Sequence, residues 1–138
     1  MKIILVAGFL GSGKTTTILD LARYLATQEQ ARLAVLVNEA GAIPMDGAVL
    51  TEAGNRVKEI FAGCVCCQVA SSLIVAVREL QAQEDLDYLV IEPSGLADPA
   101  RIHMLLPRAG QEAWRSLYIV DVPRLALLLR AARPIIES

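Results

Sequence analysis

Gly8-Phe9-Leu10-Gly11-Ser12-Gly13-Lys14-Thr15-Thr16, led in by the apolar run Ile3 to Val6 and followed by a helical pattern from Thr16 to Leu25, decides the reading of this chain. The run fits Gly-x-x-x-x-Gly-Lys-Ser/Thr, a loop that cradles nucleotide phosphates. Its setting fits as well. Glycines let successive backbone N–H groups curl around an anion. The N-terminus of the following helix adds partial positive charge. Lys14 can reach the β- and γ-phosphates, and the Thr15 hydroxyl can ligate Mg²⁺. Gly8, Gly11, Ser12, Gly13, Lys14, Thr15 and Thr16 are therefore the expected nucleotide-binding residues. The bland alternative, a glycine-rich strand-to-helix turn with an incidental lysine, is disfavoured because motif and context agree.

Outward from this loop the chain alternates between two periodicities. A strand covers Ile3 to Ala7 and a helix runs to about Thr27. Leu33-Ala34-Val35-Leu36-Val37 reads as a second strand. A long glycine-containing connection spans Asn38 to about Arg56, and Val57 to Phe61 is a short extra strand. Leu73, Ile74, Val77 and Leu80 keep helical spacing, which predicts a helix near Ala70 to Gln83. Tyr88-Leu89-Val90-Ile91 reads as a buried strand. Asp98-Pro99 has the form of an N-cap followed by proline at the first helical position. Leu117 to Val120 is a further strand, and Pro123 opens a Leu/Ala-rich helix. Strands alternating with helices predict an α/β fold, a mostly parallel sheet flanked by helices, of the phosphate-loop nucleoside-triphosphatase type. Right-handed crossovers then gather the Gly8 loop, the segments after Val37 and Ile91, and Asp121 on one sheet edge.

Bulk composition narrows the class. The 138 residues suit a single domain with a real core. Hydrophobic residues make up 54% and aromatics 4%, as expected of a sheet covered on both faces by aliphatic side chains. Thirteen basic and fifteen acidic residues give a net charge of −2, so no basic stripe points to nucleic acid. No segment is long enough to span a membrane, and none is expected to bind one. The apolar N-terminus runs straight into the loop without a cleavage-like end, so it is read as a strand rather than a secretory signal. Three cysteines within four residues argue against a disulfide framework and for a reducing, cytoplasmic setting.

Those cysteines form the second constellation, Gly63-Cys64-Val65-Cys66-Cys67. Thiolates are soft ligands that favour Zn²⁺ and similar ions. Cys64, Cys66 and Cys67 would leave a tetrahedral ion one ligand short, which suits exchange better than permanent structure. Packing as small hydrophobes and a redox role are the alternatives. The third constellation is Glu92-Pro93-Ser94-Gly95, directly after a strand. Glu92 can hold Mg²⁺ or orient the attacking water, and the Gly95 N–H can meet a γ-phosphate. A turn capped by Glu is the plainer reading. Glu39, at the start of the long connection, is a Mg²⁺ candidate or a solvated loop carboxylate. Asp121 is balanced between a functional role and helix capping. His103, the sole histidine, sits among Ile102, Met104, Leu105 and Leu106 and is read as a surface or packed residue rather than a ligand.

Taken together and in this order, these features resemble the CobW-type metal-chaperone GTPases, which group with the UreG and HypB nickel-insertion GTPases. The resemblance rests on Gly8 to Thr16, Val37-Asn38-Glu39, Gly63 to Cys67, Glu92 to Gly95 with Ala97-Asp98-Pro99, and Val120-Asp121. It implies GTP hydrolysis coupled to delivery of zinc or cobalt to a metal-receiving client protein, with Cys64, Cys66 and Cys67 as the cargo site between two switch segments. A second copy of the chain is a candidate partner. Two departures stand out. Asn38-Glu39-Ala40-Gly41-Ala42 lacks the second acidic residue of the family's Asn-Glu-Phe-Gly-Glu, and the guanine-reading Asn-Lys-x-Asp is absent. Residues 1–138 thus read as an N-terminal portion of the family's GTPase domain, ending before the base-recognition strand.

The expected mechanism is in-line attack of water on the γ-phosphate. Lys14 and the loop N–H groups stabilise developing charge, Thr15 holds Mg²⁺, and Glu92 positions Mg²⁺ or water. The competing expectations are an unrelated ATPase or kinase whose cysteines merely pack, and a nucleotide- and metal-binding module without turnover.

Overall fold

A computed structural model describes residues 1–37, 57–61, 69–82, 85–93, 99–111 and 113–127. Among the described residues the elements follow in order: β1 (Lys2–Gly8), α1 (Lys14–Thr27), β2 (Leu33–Val37), β3 (Val57–Phe61), α2 (Val69–Gln81), β4 (Tyr88–Glu92), α3 (Pro99–Leu105), a 3₁₀ turn (Pro107–Ala109) and β5 (Trp114–Ile119). Residues 122–127 are helical and are labelled α4. The strands form one parallel sheet in the order β3-β2-β4-β1-β5. The expected α/β fold with a parallel sheet is what the chain adopts. No described helix is long and apolar enough to cross a membrane.

The continuous aliphatic runs form the central strands because both faces of the sheet are covered. On one face, Val6, Val35, Val37 and Val90 pack against Ile18, Ala22, Leu25 and Ala26 of α1. On the other, Ile3, Leu5, Leu36, Leu89 and Ile91 meet Leu73, Val77 and Leu80 of α2 and Ile102 of α3. Alternate residues of each strand thus feed opposite cores, while α1 and α2 each present one stripe at helical spacing.

β2 and β3 coincide with their sequence boundaries, and the helices and β4 differ by one or two residues at their ends. Pro99 opens α3 as expected for a proline at the first helical position. β5 is the exception. It runs from Trp114 to Ile119, where Leu117 to Val120 was expected. Trp114, Arg115 and Ser116 pair with Ile3, Ile4 and Leu5. Arg115 and Ser116 are polar, and pairing with β1 recruits them into the sheet. Among the described strands β5 pairs with β1 alone, so it lies at the sheet edge and Leu117 and Tyr118 are exposed.

Candidate functional site

Because the strands are parallel, their C-terminal ends share one edge. Gly8 stands opposite Ile119, and Val37 stands opposite Glu92. The segments that follow β1, β2, β4 and β5 therefore leave from the same side, the usual ligand-binding edge of such sheets. β1 delivers residues 9–13 to this edge. Ser12 N donates to Phe9 O at 3.1 Å and closes the loop, and Thr17 N donates to Gly13 O at 3.0 Å to start α1. α1 begins at Lys14, two residues before the sequence-read start at Thr16, because Gly13 takes the left-handed conformation (φ 91°) as its cap. A side chain there would strain the backbone. Gly8 is required for another reason: an added Cβ would stand 2.6 Å from Ile119 O.

The chemistry-bearing side chains converge on this loop. Lys14 is 5% exposed, and its ammonium donates to Phe9 O at 3.1 Å. Thr15 Oγ1 donates to Glu92 Oε1 at 3.1 Å, joining the first turn of α1 to the end of β4. Glu92 is 3% exposed. A carboxylate so buried is costly unless its oxygens are occupied, and the Thr15 hydroxyl occupies one. A hydroxyl and a carboxylate held together in this way form an oxygen donor set that fits a hard cation such as Mg²⁺. Thr16 is exposed on α1. Ser12 Oγ is buried beneath the loop beside Gly8.

Other candidates resolve toward plainer roles. Asp121 Oδ1 accepts from Arg124 N at 3.1 Å and Asp121 O accepts from Leu125 N at 2.8 Å, so this carboxylate caps α4. His103 packs edge-on to Trp114, with Nε2 3.2 Å from Ser116 Oγ and 3.4 Å from Tyr118 Oη. It ties α3 to β5. Glu39, Cys64, Cys66, Cys67 and Gly95 lie outside the described residues, as does Asp98.

One residue escaped the sequence reading. Arg124 Nη1 donates to Leu10 O at the tip of the phosphate loop. The only sequence hint is its place on the first turn of a helix that opens at the functional edge.

Comparison with known proteins adds the family and the fold relationship. Residues 2–133 match the family model "CobW/HypB/UreG, nucleotide-binding domain". The zinc chaperone YeiR of Escherichia coli is 44% identical over 127 residues, 89% of this chain and 38% of its own length. The zinc chaperone CobW of Pseudomonas aeruginosa is 42% identical over 148 aligned positions, covering 97% of this chain and 39% of the relative. The chain thus spans under half the length of these relatives. Among solved structures, the cell division protein FtsY of Thermotoga maritima superposes with a TM-score of 0.66 at 20% identity, covering 99% of this chain and 49% of that one. That likeness is one of fold.

Proposed function

Since the chain belongs to the CobW/HypB/UreG family of nucleotide-binding domains, we propose that it binds and hydrolyses GTP and couples nucleotide state to the handling of a transition metal. The observation that carries the nucleotide half is the contact of Thr15 Oγ1 with Glu92 Oε1 beside the buried Lys14. It joins oxygen ligands and a phosphate-seeking cation at one loop. Thr15 and Glu92 would hold Mg²⁺, which supplies charge neutralisation at the phosphates. Lys14 leaves Phe9 O for the β- and γ-phosphates, and the loop N–H groups receive the remaining anionic oxygens. Glu92 is also the proposed group for orienting the attacking water. Gly95 is proposed to contact the γ-phosphate, and Glu39 to add to the Mg²⁺ shell.

For the metal half, zinc is the favoured cargo because relatives at 44% and 42% identity are zinc chaperones; cobalt is the second choice. A relative from Dictyostelium discoideum, 30% identical, is a zinc-regulated GTPase metalloprotein activator, which favours GTP and a protein client. Cys64, Cys66 and Cys67 are the proposed cargo ligands. Phe61, the last described residue before them, sits at the same sheet edge as Gly8, opposite Val37. Three strand spacings separate β3 from β1, or about 14 Å.

The test is a Zn²⁺ titration of the reduced chain against a competing chelator, with and without Mg²⁺ and a non-hydrolysable GTP analogue. The expected result is a tight site whose affinity changes with nucleotide and disappears when all three cysteines are replaced by Ser. Zinc affinity unaltered by those replacements would sink the cargo site. A tight site indifferent to nucleotide would sink the coupling.

A further inference from the structure

Two cations hold adjacent carbonyl groups of the phosphate loop. Lys14 Nζ donates to Phe9 O, and Arg124 Nη1 donates to Leu10 O. In a trans peptide the C=O and the following N–H point in opposite directions. A donor fixed on the Leu10 carbonyl therefore fixes the direction of the Gly11 N–H, one of the loop amides available to an anion. The Leu10–Gly11 peptide needs such a hold. Gly11 has a φ of 75° and carries no side chain to resist rotation of that peptide. The guanidinium also lies directly against Gly11, since a Cβ there would stand 3.4 Å from Arg124 Nη1.

The Arg124 fork is itself oriented. Its Nε lies 3.7 Å from Asp121 Oδ2, while Asp121 Oδ1 accepts from the Arg124 backbone N–H at 3.1 Å. One carboxylate thus caps α4 and aims the guanidinium at the loop. A planar guanidinium can face the carboxylate with one edge and the carbonyl with another in a fixed geometry, whereas an ammonium on a flexible stem offers no such fork.

We propose that Arg124 is a positioning residue for nucleotide binding, holding the Leu10 carbonyl outward so that the Gly11 amide faces the phosphates. This rests on the phosphate-site reading above. It assigns Arg124 a role unlike that of Lys14. Lys14 must leave its carbonyl to reach the phosphates, while Arg124 keeps its contact in both states. The loop amides serve the α- and β-phosphates, so loss of Arg124 weakens GDP and GTP alike.

The experiment measures binding of fluorescent GDP and of a non-hydrolysable GTP analogue to wild type, Lys14→Ala, Arg124→Ala, Arg124→Lys and Arg23→Ala. Amide exchange across residues 8–13 is measured on the same nucleotide-free proteins. Expected for Arg124→Ala is a loss of about five- to tenfold for both nucleotides, the worth of about one ordinary hydrogen bond, since Arg124 acts on the amide only through the peptide it holds. Arg124→Lys should recover little of it. Exchange should quicken in the loop but not in β1. Arg23→Ala, which removes an equal charge from a half-exposed position of α1 beside Asp20, should bind as wild type. If wild type binds, Lys14→Ala does not, and Arg124→Ala stays within twofold of wild type, the inference fails and the phosphate site stands. Equal losses in Arg23→Ala and Arg124→Ala reduce the effect to net charge and overturn it too. A wild type that binds no nucleotide overturns both.

Discussion

An added Cβ at Gly8 would meet Ile119 O at 2.6 Å and Ser12 Oγ at 2.7 Å. One of these is backbone of a paired strand, so β5 cannot yield without losing its register with β1. Gly8→Ala should therefore push the loop rather than the sheet. The expected cost is about 1–3 kcal/mol of stability with a larger loss of nucleotide affinity, read by urea unfolding and by equilibrium binding. A variant that unfolds and binds as wild type would show that the approach is looser than the backbone implies. At this scale the sequence was informative where chemistry imposes a spacing. The spacing of Gly13, Lys14 and Thr15 set them on one loop, the position of Glu92 after a strand set it at the same edge, and the Thr15–Glu92 contact brings the two together. Arg124 was not legible, because the carbonyl it holds is 114 positions away and nothing local marks the contact.

α1 carries the phosphate loop on its N-terminus, so whatever anchors α1 anchors the site. Ile18, Ala22, Leu25 and Ala26 recur on one stripe and close over Val6, Val35, Val37 and Val90. Ile18 is 2% exposed and lies one turn beyond Lys14. Ile18→Ala should cost about 2–5 kcal/mol through lost transfer energy and a residual cavity. Val75, on the outer side of α2, is 52% exposed. Val75→Ala should stay within about 0.5 kcal/mol, and denaturant midpoints compare the two. Equal effects would contradict the burial described for α1. Helices and inner strands were legible in the sequence because their periodicity reflects packing on one face or two. β5 was misjudged by three residues at its start because an edge strand is defined by its neighbour. Arg115 and Ser116 look like loop residues until Ile4 and Leu5 pair with them.

For the whole molecule, nucleotide binding and folding are linked by mass action. A ligand at about 100 times its Kd stabilises the folded form by about 2.7 kcal/mol. Saturating GTP with Mg²⁺ should raise the melting temperature of the chain by several degrees, and Lys14→Ala should abolish the rise. Equal rises in both proteins would place the nucleotide elsewhere. The cysteine motif is the part of the proposal most visible in sequence, and its spacing alone suggests a soft metal. The affinity change on nucleotide binding is a property of two sites together, and no spacing encodes it.

The strand order has a consequence for how the chain is made. β1 and β2 are not paired with each other; β4 is the strand that joins them. About 80 residues separate Gly8 from Tyr88, so at typical translation speeds β1 waits about 4–16 s for its inner neighbour to be synthesised. Until then Ile3, Leu5 and Val6, all buried in the finished sheet, have no strand beside them. The same aliphatic run that leads into the phosphate loop is thus, on the ribosome, a stretch suited to a chaperone's grip, released when β4 slides between the two strands it unites.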